Sequence, residues 1–279
     1  MQLLLITILL LGFSSSSWAQ RVGHRRTAAT EFGLEVARGN VTGTTFIHKF
    51  GEVENIDDGI GFIDIWDGGS VNDALRTYEF SSGADINRLS SSDDTDTQDI
   101  EIQGLDVDHN LVTQTITLTG QTPVALTTSL IRVFRMKNVG TVDNAGDIYC
   151  FENITTTLGV PDTITNTRAI IQVGNNQTLM AIYTIPNGKT GYMCAFYLSL
   201  AGRKDQNSDM HLLFRASGSV FQLKHSSSIL STGTSHLQHR YDIPETGLEA
   251  KTDIIMKADS SKADGVVSGG FDLILIDDE

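Results

Sequence analysis

Two aspartates flank a tryptophan in the segment GFIDIWDGGS, and this combination could do chemistry on a sugar. Asp64 and Asp67 supply carboxylates, and Trp66 supplies a ring that can stack on a pyranose. Glycosidases do use paired carboxylates, but their separation is set in three dimensions and not by a sequence interval. We therefore favour a strand end, with Trp66 packed in the core and Asp67-Gly68-Gly69 forming a turn. A glycan-degrading enzyme is the alternative.

Aspartates also crowd the low-complexity segment SSSDDTDTQD, as Asp93, Asp94, Asp96 and Asp99. Hard oxygen ligands at this density could hold Ca²⁺. In an EF-hand loop counted from Asp94, the sixth residue should be Gly and is Asp99, and the twelfth should be Glu and is Leu105. Because the motif fails, we predict a solvated acidic loop and no calcium site.

Three histidines in the second half, His225, His236 and His239, could offer imidazole ligands to zinc. The surrounding segment STGTSHLQHRY has the composition of a strand, and residues three apart on a strand point to opposite faces. We therefore expect surface or interface histidines and no zinc site. The sequence thus predicts no catalytic residue, no cofactor-binding residue, no metal ligand and no enzymatic activity.

The chain contains two cysteines, Cys150 and Cys194, both within apolar strand-like runs. Two thiols are too few for a disulfide-stapled miniature fold or for a zinc site built from four thiolates. A disulfide between them is one interpretation if the protein is exported, and two buried free thiols are the other. The sequence leaves both open.

The first residues resemble a secretory leader. Residues 3–13 form an apolar run that would rise roughly 16 Å as a helix, too short to span a bilayer. Ser17 and Ala19 supply the small residues that a signal peptidase accepts, with cleavage after Ala19. We assign 1–19 to a signal-peptide-like leader and 20–34 to an N-terminal arm. A misassigned start codon and an apolar tail docked in an assembly are the alternatives.

The remainder of the chain alternates apolar and polar residues with period two, the pattern of half-buried strands. Residues 99–119 show it most clearly, with a polar turn at 106–110. Roughly fifteen to eighteen short strands fit this pattern. Other predicted strands are residues 131–136, 148–151, 169–173, 178–185, 191–200, 211–215, 220–225, 254–258 and 271–276. The sequence therefore predicts an all-β protein, with a β-sandwich over 35–160 and a jelly-roll-like β-sandwich over 161–279.

The charge balance argues against a nucleic-acid partner. The chain has 279 residues, with 20 Lys and Arg against 34 Asp and Glu, so its net charge is −14. Phosphate binding needs clustered basic side chains, and the sequence clusters them only at Arg21, Arg25 and Arg26.

Several longer sequence segments resemble those of a known protein family. They are FGLEVARGNVTGTTFIHKFG, GFIDIWDGG, DIEIQGLD, TITLTGQTPVAL, GNNQTLMAIYTIPNGKTGYM, GSVFQLKHSSSILSTGTSHLQHRYDIP and SGGFDLILID. In this order, over about residues 30–277, the chain resembles virion structural proteins of tailed phages, mainly marine ones. The resemblance implies a β-rich particle component without an enzymatic step, and it supplies no catalytic residues. The leader-like residues 1–26 depart from the family pattern.

We therefore expect a noncatalytic virion component: a capsid decoration, fibre or tail-accessory protein located in the virion. Its expected partners are itself, in a homo-oligomer for which a trimer is one option, and other virion proteins. We expect residues 190–200 to lie in a core or in a seam between subunits. The alternative is an exported bacterial adhesin or carbohydrate-binding protein, extracellular or periplasmic, with a surface glycan as its partner. No cofactor is expected.

Overall fold

The computed structural model describes residues 32–56, 58–202, 205–231, 234–241 and 247–279. The chain divides into two compact units, Met1–Thr45 and Phe46–Glu279. In the first unit the described residues include one short helix, α1, over 32–37. Among the described residues, no helix is long and apolar enough to cross a membrane. The predicted leader and most of the predicted arm lie outside the described residues.

The prediction of an all-β protein is confirmed, because strands form most of the regular structure in the described part of the chain and helices are few and short. Alternating side chains and β-branched residues favour pleated strands, and Gly, Asn and Asp at the turns end them. The exceptions in the second unit are short: a helix, α2 (Asp67–Val71), and two 3₁₀ turns, Asp73–Leu75 and Ile164–Asn166.

Two sheets are built largely from the C-terminal half of the chain. Sheet A contains, in spatial order, β1 (Thr44–Ile56), β18 (Gly265–Asp277), β13 (Lys189–Ala201) and β16 (Thr234–Arg240). Sheet B contains β12 (Ile182–Thr184), β17 (Asp253–Ser260), β14 (Gln206–Arg215) and β15 (Gln222–Ser231), with β2 (Ile63–Asp64) also paired to β17. In sheet A, β13 pairs antiparallel with both β16 and β18. In sheet B, all the pairs named above are antiparallel.

Two further sheets come from the middle of the chain. Sheet C contains β11 (Thr167–Ile171), β8 (Ile148–Glu152), β3 (Ile86–Ser91) and β6 (Val124–Leu130). Sheet D contains β5 (Leu111–Thr117), β4 (Asp99–Leu105) and β7 (Arg132–Asn138). A small ribbon pairs β9 (Thr156–Thr157) with β10 (Val160–Pro161).

Strands β12 and β17 of sheet B are buried on both faces because their side chains alternate between two hydrophobic cores. Ile254 and Met256 of β17 pack in a core with the inner face of sheet A, whereas Ile255 packs in a second core with sheets C and D. Tyr183 and Ile182 of β12 divide between the two cores in the same way. Sheet A therefore covers one face of sheet B, and the sandwich of sheets C and D covers part of the other.

The strand pairing crosses the domain boundary expected at residue 160. β1 and β2 precede that boundary, yet they pair with β18 and β17 near the C-terminus. β11 follows the boundary, yet it pairs with β8. The polar segment 155–167, around that boundary, contains the β9–β10 ribbon and a 3₁₀ turn. The sheets therefore group residues 86–171 together, between two segments that build sheets A and B.

A buried ionic cluster ties sheet B to sheet D. The carboxylate of Asp253 accepts hydrogen bonds from Arg132 Nε at 3.0 Å, from Arg215 Nε at 3.0 Å and from Thr184 Oγ1 at 2.6 Å. The two guanidinium groups also lie 5.1 Å and 4.7 Å from the centroid of the Phe80 ring. Asp253 is 3% exposed, so these partners must compensate for the loss of its hydration.

Candidate interaction surface

Trp66 is a core residue and offers no ring to a ligand. It is 1% exposed, its Nε1 donates a hydrogen bond of 2.8 Å to the Leu75 carbonyl, and its ring meets Tyr78 edge to face at 5.0 Å. Pairing the indole N–H is what burial of a tryptophan requires. The predicted strand end with a packed tryptophan is therefore the observed arrangement, although Asp67 begins helix α2 and not a tight turn.

The two neighbouring carboxylates serve the structure. Asp64 accepts a hydrogen bond of 2.6 Å from the Tyr78 backbone N–H and lies 2.7 Å from Lys257 Nζ. Asp67 accepts one of 2.6 Å from the Leu179 backbone N–H. Burial raises the pKa of Asp64, against the opposing effect of Lys257, and raises the pKa of Asp67 well above its ordinary value. A raised pKa suits a general acid, but at 0% and 2% exposure neither carboxyl group can reach a substrate.

The acidic loop is organised by hydrogen bonds from the protein itself. Asp96 is buried and accepts bonds from the Ser91 hydroxyl at 2.5 Å and from the backbone N–H groups of Ala145 at 2.8 Å and Gly146 at 3.0 Å. Burial alone would raise the pKa of Asp96, but these donors outweigh burial and lower it. Asp93 and Asp99 accept hydrogen bonds from threonine hydroxyls. Asp96 is thus an ionised anchor that joins two loops.

The histidines divide between the two sides of sheet A, as the period-two pattern predicts. His239 packs at 5.0 Å from the buried Phe196 ring and at 5.1 Å from His225, where β15 and β16 close the edge of the core. His236 points outward, and its Nδ1 lies 2.8 Å from Ser199 Oγ. Within the described residues, no group of three His, Cys, Asp or Glu side chains is arranged to hold a metal ion.

The two cysteines are free thiols in different sheets. Cys150 lies in β8 of sheet C, and Cys194 lies in β13 of sheet A. Of the two interpretations that the sequence leaves open, the structure has the one without a disulfide. Burial raises the pKa of the Cys150 thiol to about 12, which makes it a poor nucleophile.

Lys49 is a buried amine without a carboxylate partner among the described residues. It is 7% exposed, and its Nζ donates a hydrogen bond to the backbone carbonyl of Phe134. Burial, together with the positive charge of Arg135, lowers its pKa from 10.5 to about 7. The signal for it in the sequence is the alternation of β1, which places this lysine among the inward-facing residues.

Aromatic rings form a row across the outer face of sheet A. His48 contacts Phe50 at a centroid distance of 5.5 Å and Tyr197 at 6.1 Å, and Tyr197 lies 6.4 Å from His236. The row runs from β1 to β16 and crosses β18 at Gly270. A Cβ at Gly270 would lie 2.3 Å from the phenol oxygen of Tyr197, so the missing side chain lets that ring lie over the strand. We call these four side chains the aromatic row.

Polar neighbours hold the aromatic row in place. Nδ1 of His48 lies 2.6 Å from a carboxylate oxygen of Asp272, and His236 is held by its bond to Ser199. Burial and the Asp272 carboxylate raise the pKa of Tyr197 to about 12, so the phenol stays neutral. Rings fixed in this way lose little side-chain freedom when a partner binds.

The segment 190–200, expected to lie in a core or in a subunit seam, faces both directions. Met193, Phe196 and Leu198 are buried between sheets A and B, whereas Tyr197 and Ser199 face outward. The sequence signal for the outer face was the alternation in FIHKFG of β1, where Phe46, His48 and Phe50 share one side. The sequence does not show that this side meets Tyr197, because β1 and β13 are far apart in the chain.

Comparison with known proteins finds only weak similarity. No family model matches the chain, and no curated protein matches it. A chain of the naturally occurring empty particles of cowpea mosaic virus is 9% identical, with 80% of this chain and 82% of that chain covered and a TM-score of 0.23. A chain of broad bean stain virus is 13% identical over 70% and 84%, with a TM-score of 0.19.

A third match is the VP2 subviral particle of infectious bursal disease virus, 10% identical over 83% of this chain and 71% of that chain, with a TM-score of 0.23. All three come from viruses. TM-scores this low do not establish a shared topology, so the function proposed below rests on the residues and geometry of this chain.

Proposed function

We propose that this protein is a noncatalytic structural component of a virion and acts through contacts with itself and with other virion proteins. The observation that carries the proposal is the aromatic row, a partly exposed set of rings on the broad outer face of sheet A. Aromatic side chains are enriched in protein–protein interfaces, where they supply contact area at a small entropic cost. The sequence resemblance to virion structural proteins of tailed phages points in the same direction.

The burial of the side chains that could have acted in catalysis supports the noncatalytic part of the proposal. Asp64 and Asp67 are buried and bonded to backbone N–H groups, and Trp66 is enclosed in the core. An enzyme needs its acid, base or nucleophile within hydrogen-bonding reach of a substrate. The alternative of a glycan-degrading enzyme was based on these three residues, and their burial removes the support for it at this position.

Within the virion, we propose a capsid decoration, fibre or tail-accessory role for the protein as a homo-oligomer. Layered antiparallel sheets suit this role, because a particle component must resist unfolding while it presents flat contact surfaces. The negative net charge favours protein partners over nucleic acid.

Quantitative mass spectrometry of gradient-purified virus particles tests the proposal. We expect peptides from residues 46–279 in the particle fraction, in a fixed ratio to the other particle proteins through successive purification steps. Particles that lack these peptides, with the polypeptide recovered only in the soluble fraction, would contradict a virion role. Glycan cleavage by the purified protein that is lost on Asp64→Asn would contradict the noncatalytic part.

A further inference from the structure

We infer that the outer face of sheet A packs against the same face of a second copy of this chain, related to it by a two-fold axis. The inference rests on the proposed function, because it names the surface through which the protein associates with itself. A two-fold contact uses one surface twice, so that surface must be complementary to itself in size, composition and charge.

The size of the face fits a stable dimer. β1, β13 and β18 each contain 13 residues. At about 3.3 Å per residue and about 4.8 Å between strands, a four-stranded face with these lengths covers about 700 Å². A standard protein–protein interface buries about 800 Å² on each partner. Two such faces packed about 10 Å apart would form a sheet-on-sheet contact of the usual kind.

The composition of the face also fits a protein partner. Besides the aromatic row, it presents Phe46 at 45% exposure and Ile276 at 42% exposure. Outward-facing positions of β15, the edge strand of sheet B, are mainly polar and carry no aromatic ring: Lys224, Ser226 and Ser228 lie there beside one exposed leucine, Leu230. Lysine and serine are depleted in interfaces, whereas aromatic residues are enriched. The outer face of sheet A is therefore the aromatic one of these two surfaces.

The aromatic row lies near the centre of the outer face of sheet A, where the residues that dominate binding are expected. Tyr197 pairs with Gly270, near the middle of the long strands β13 and β18. Residues that dominate binding cluster near the centre of an interface and are enriched in tyrosine. The hydrogen bond that the Asp272 carboxylate accepts from His48, and the hydrogen bond between Ser199 and His236, already fix the neighbouring rings before a partner binds.

The charge near the row permits two copies to meet. The chain carries a net charge of −14, so most pairs of its surfaces would repel. Next to the row, the acidic side chains are Asp272, which bonds His48, and Glu52, which accepts a bond from Ser268. Arg240 contributes a positive charge on the exposed strand β16. These three charges sum to −1 on each copy, a small part of the net charge of −14, so the centre of the face can approach its own copy.

The experiment is multi-angle light scattering of the full-length protein across a dilution series, with Ile276→Asp, Phe46→Asp and Tyr197→Ser as variants. The matched control is Leu230→Asp, which places the same charge at a 57% exposed aliphatic residue of β15. Circular dichroism and thermal unfolding confirm that each variant is folded. We expect Tyr197→Ser to weaken self-association about 30-fold, and the two aspartate variants to weaken it about tenfold or more.

Each outcome decides a separate point. A wild-type dimer or larger oligomer that dissociates in the three variants, but not in Leu230→Asp, supports the inference. An oligomer of unchanged affinity in folded Ile276→Asp and Phe46→Asp overturns this face as the contact while leaving the proposed function intact. A wild-type protein that stays monomeric at every concentration overturns self-association itself. A monomer that binds a glycan through Tyr197 would assign the face to a different partner and overturn the inference.

Discussion

Replacing Lys49 with methionine should stabilise the protein at neutral pH and should remove a rise in stability between pH 7 and pH 10. The ammonium group lies inside the protein and donates to the Phe134 carbonyl, without a carboxylate partner among the described residues. Methionine has a similar length and no charge, so it can occupy the same space with little repacking.

The size of the effect follows from linkage between protonation and folding. In the unfolded chain the pKa of Lys49 is 10.5, and in the folded protein burial lowers it to about 7. Between these values the unfolded state binds one more proton than the folded state. The free energy of unfolding must therefore rise with pH, by about 1.4 kcal/mol per pH unit, and by about 2 kcal/mol from pH 7 to pH 9.

The variant loses the hydrogen bond to Phe134, at a cost of about 1–3 kcal/mol. It also removes the loss of stability caused by burying a titratable amine, which at pH 7 lowers the free energy of unfolding by about 4 kcal/mol. We therefore expect Lys49→Met to be more stable than wild type by about 2 kcal/mol at pH 7. Near pH 10 the advantage should disappear or reverse, because the wild-type amine is then neutral at little cost.

Urea unfolding at several pH values measures this difference, with the fluorescence of the buried Trp66 as the signal. Lys224→Met is the control, because Lys224 is exposed and its replacement should give a curve parallel to wild type. Other groups that titrate in this range are present in all three proteins and cancel in the comparison. Parallel pH profiles for wild type and Lys49→Met would refute the reasoning.

Three further changes test other parts of the structure. Asp253→Asn should lower the free energy of unfolding, measured with urea, by about 3–5 kcal/mol, because it leaves two guanidinium groups without their shared carboxylate. A decrease of less than about 1 kcal/mol would contradict this. Gly270→Ala should lower the thermal unfolding midpoint, because its Cβ would lie 2.3 Å from the Lys49 carbonyl oxygen; an unchanged midpoint would argue against the close approach. Cys150 should react with a thiol reagent only after unfolding, because burial raises its pKa to about 12. Cys194 is also a free thiol and is only partly buried, so the label is located by peptide mapping; rapid labelling of Cys150 itself in the native protein would show otherwise.

Local patterns predicted the strands well. The segment 99–119 was expected to form two strands around a turn at 106–110, and the structure has β4 (Asp99–Leu105) paired with β5 (Leu111–Thr117). The opposite orientation of His236 and His239 and the packing of Trp66 followed from the same reasoning. These features depend on residues close in sequence, where the period of the side chains decides which face is buried.

The arrangement of the sheets could not be predicted in this way. Alternation specifies two faces of a strand but not its neighbour, so the pairing of β1 with β18 has no local signal. Strands β12 and β17 of sheet B were difficult to place for a second reason. Both of their faces are buried, and the two faces belong to different cores. The strand pairings that cross residue 160 are of this distant kind. The aromatic row also depends on distant pairings, so the sequence did not reveal it.

Hydroxyl-radical footprinting of the full-length protein, in its associated form and after dilution, tests most directly whether the outer face of sheet A is a contact surface. We predict that His48, Tyr197 and His236 are protected from oxidation in the associated form and become reactive on dilution. His211, which stacks on Phe62 away from that face, should react equally in both samples. Equal oxidation of the aromatic row before and after dilution, in a sample shown to be associated, would contradict the account.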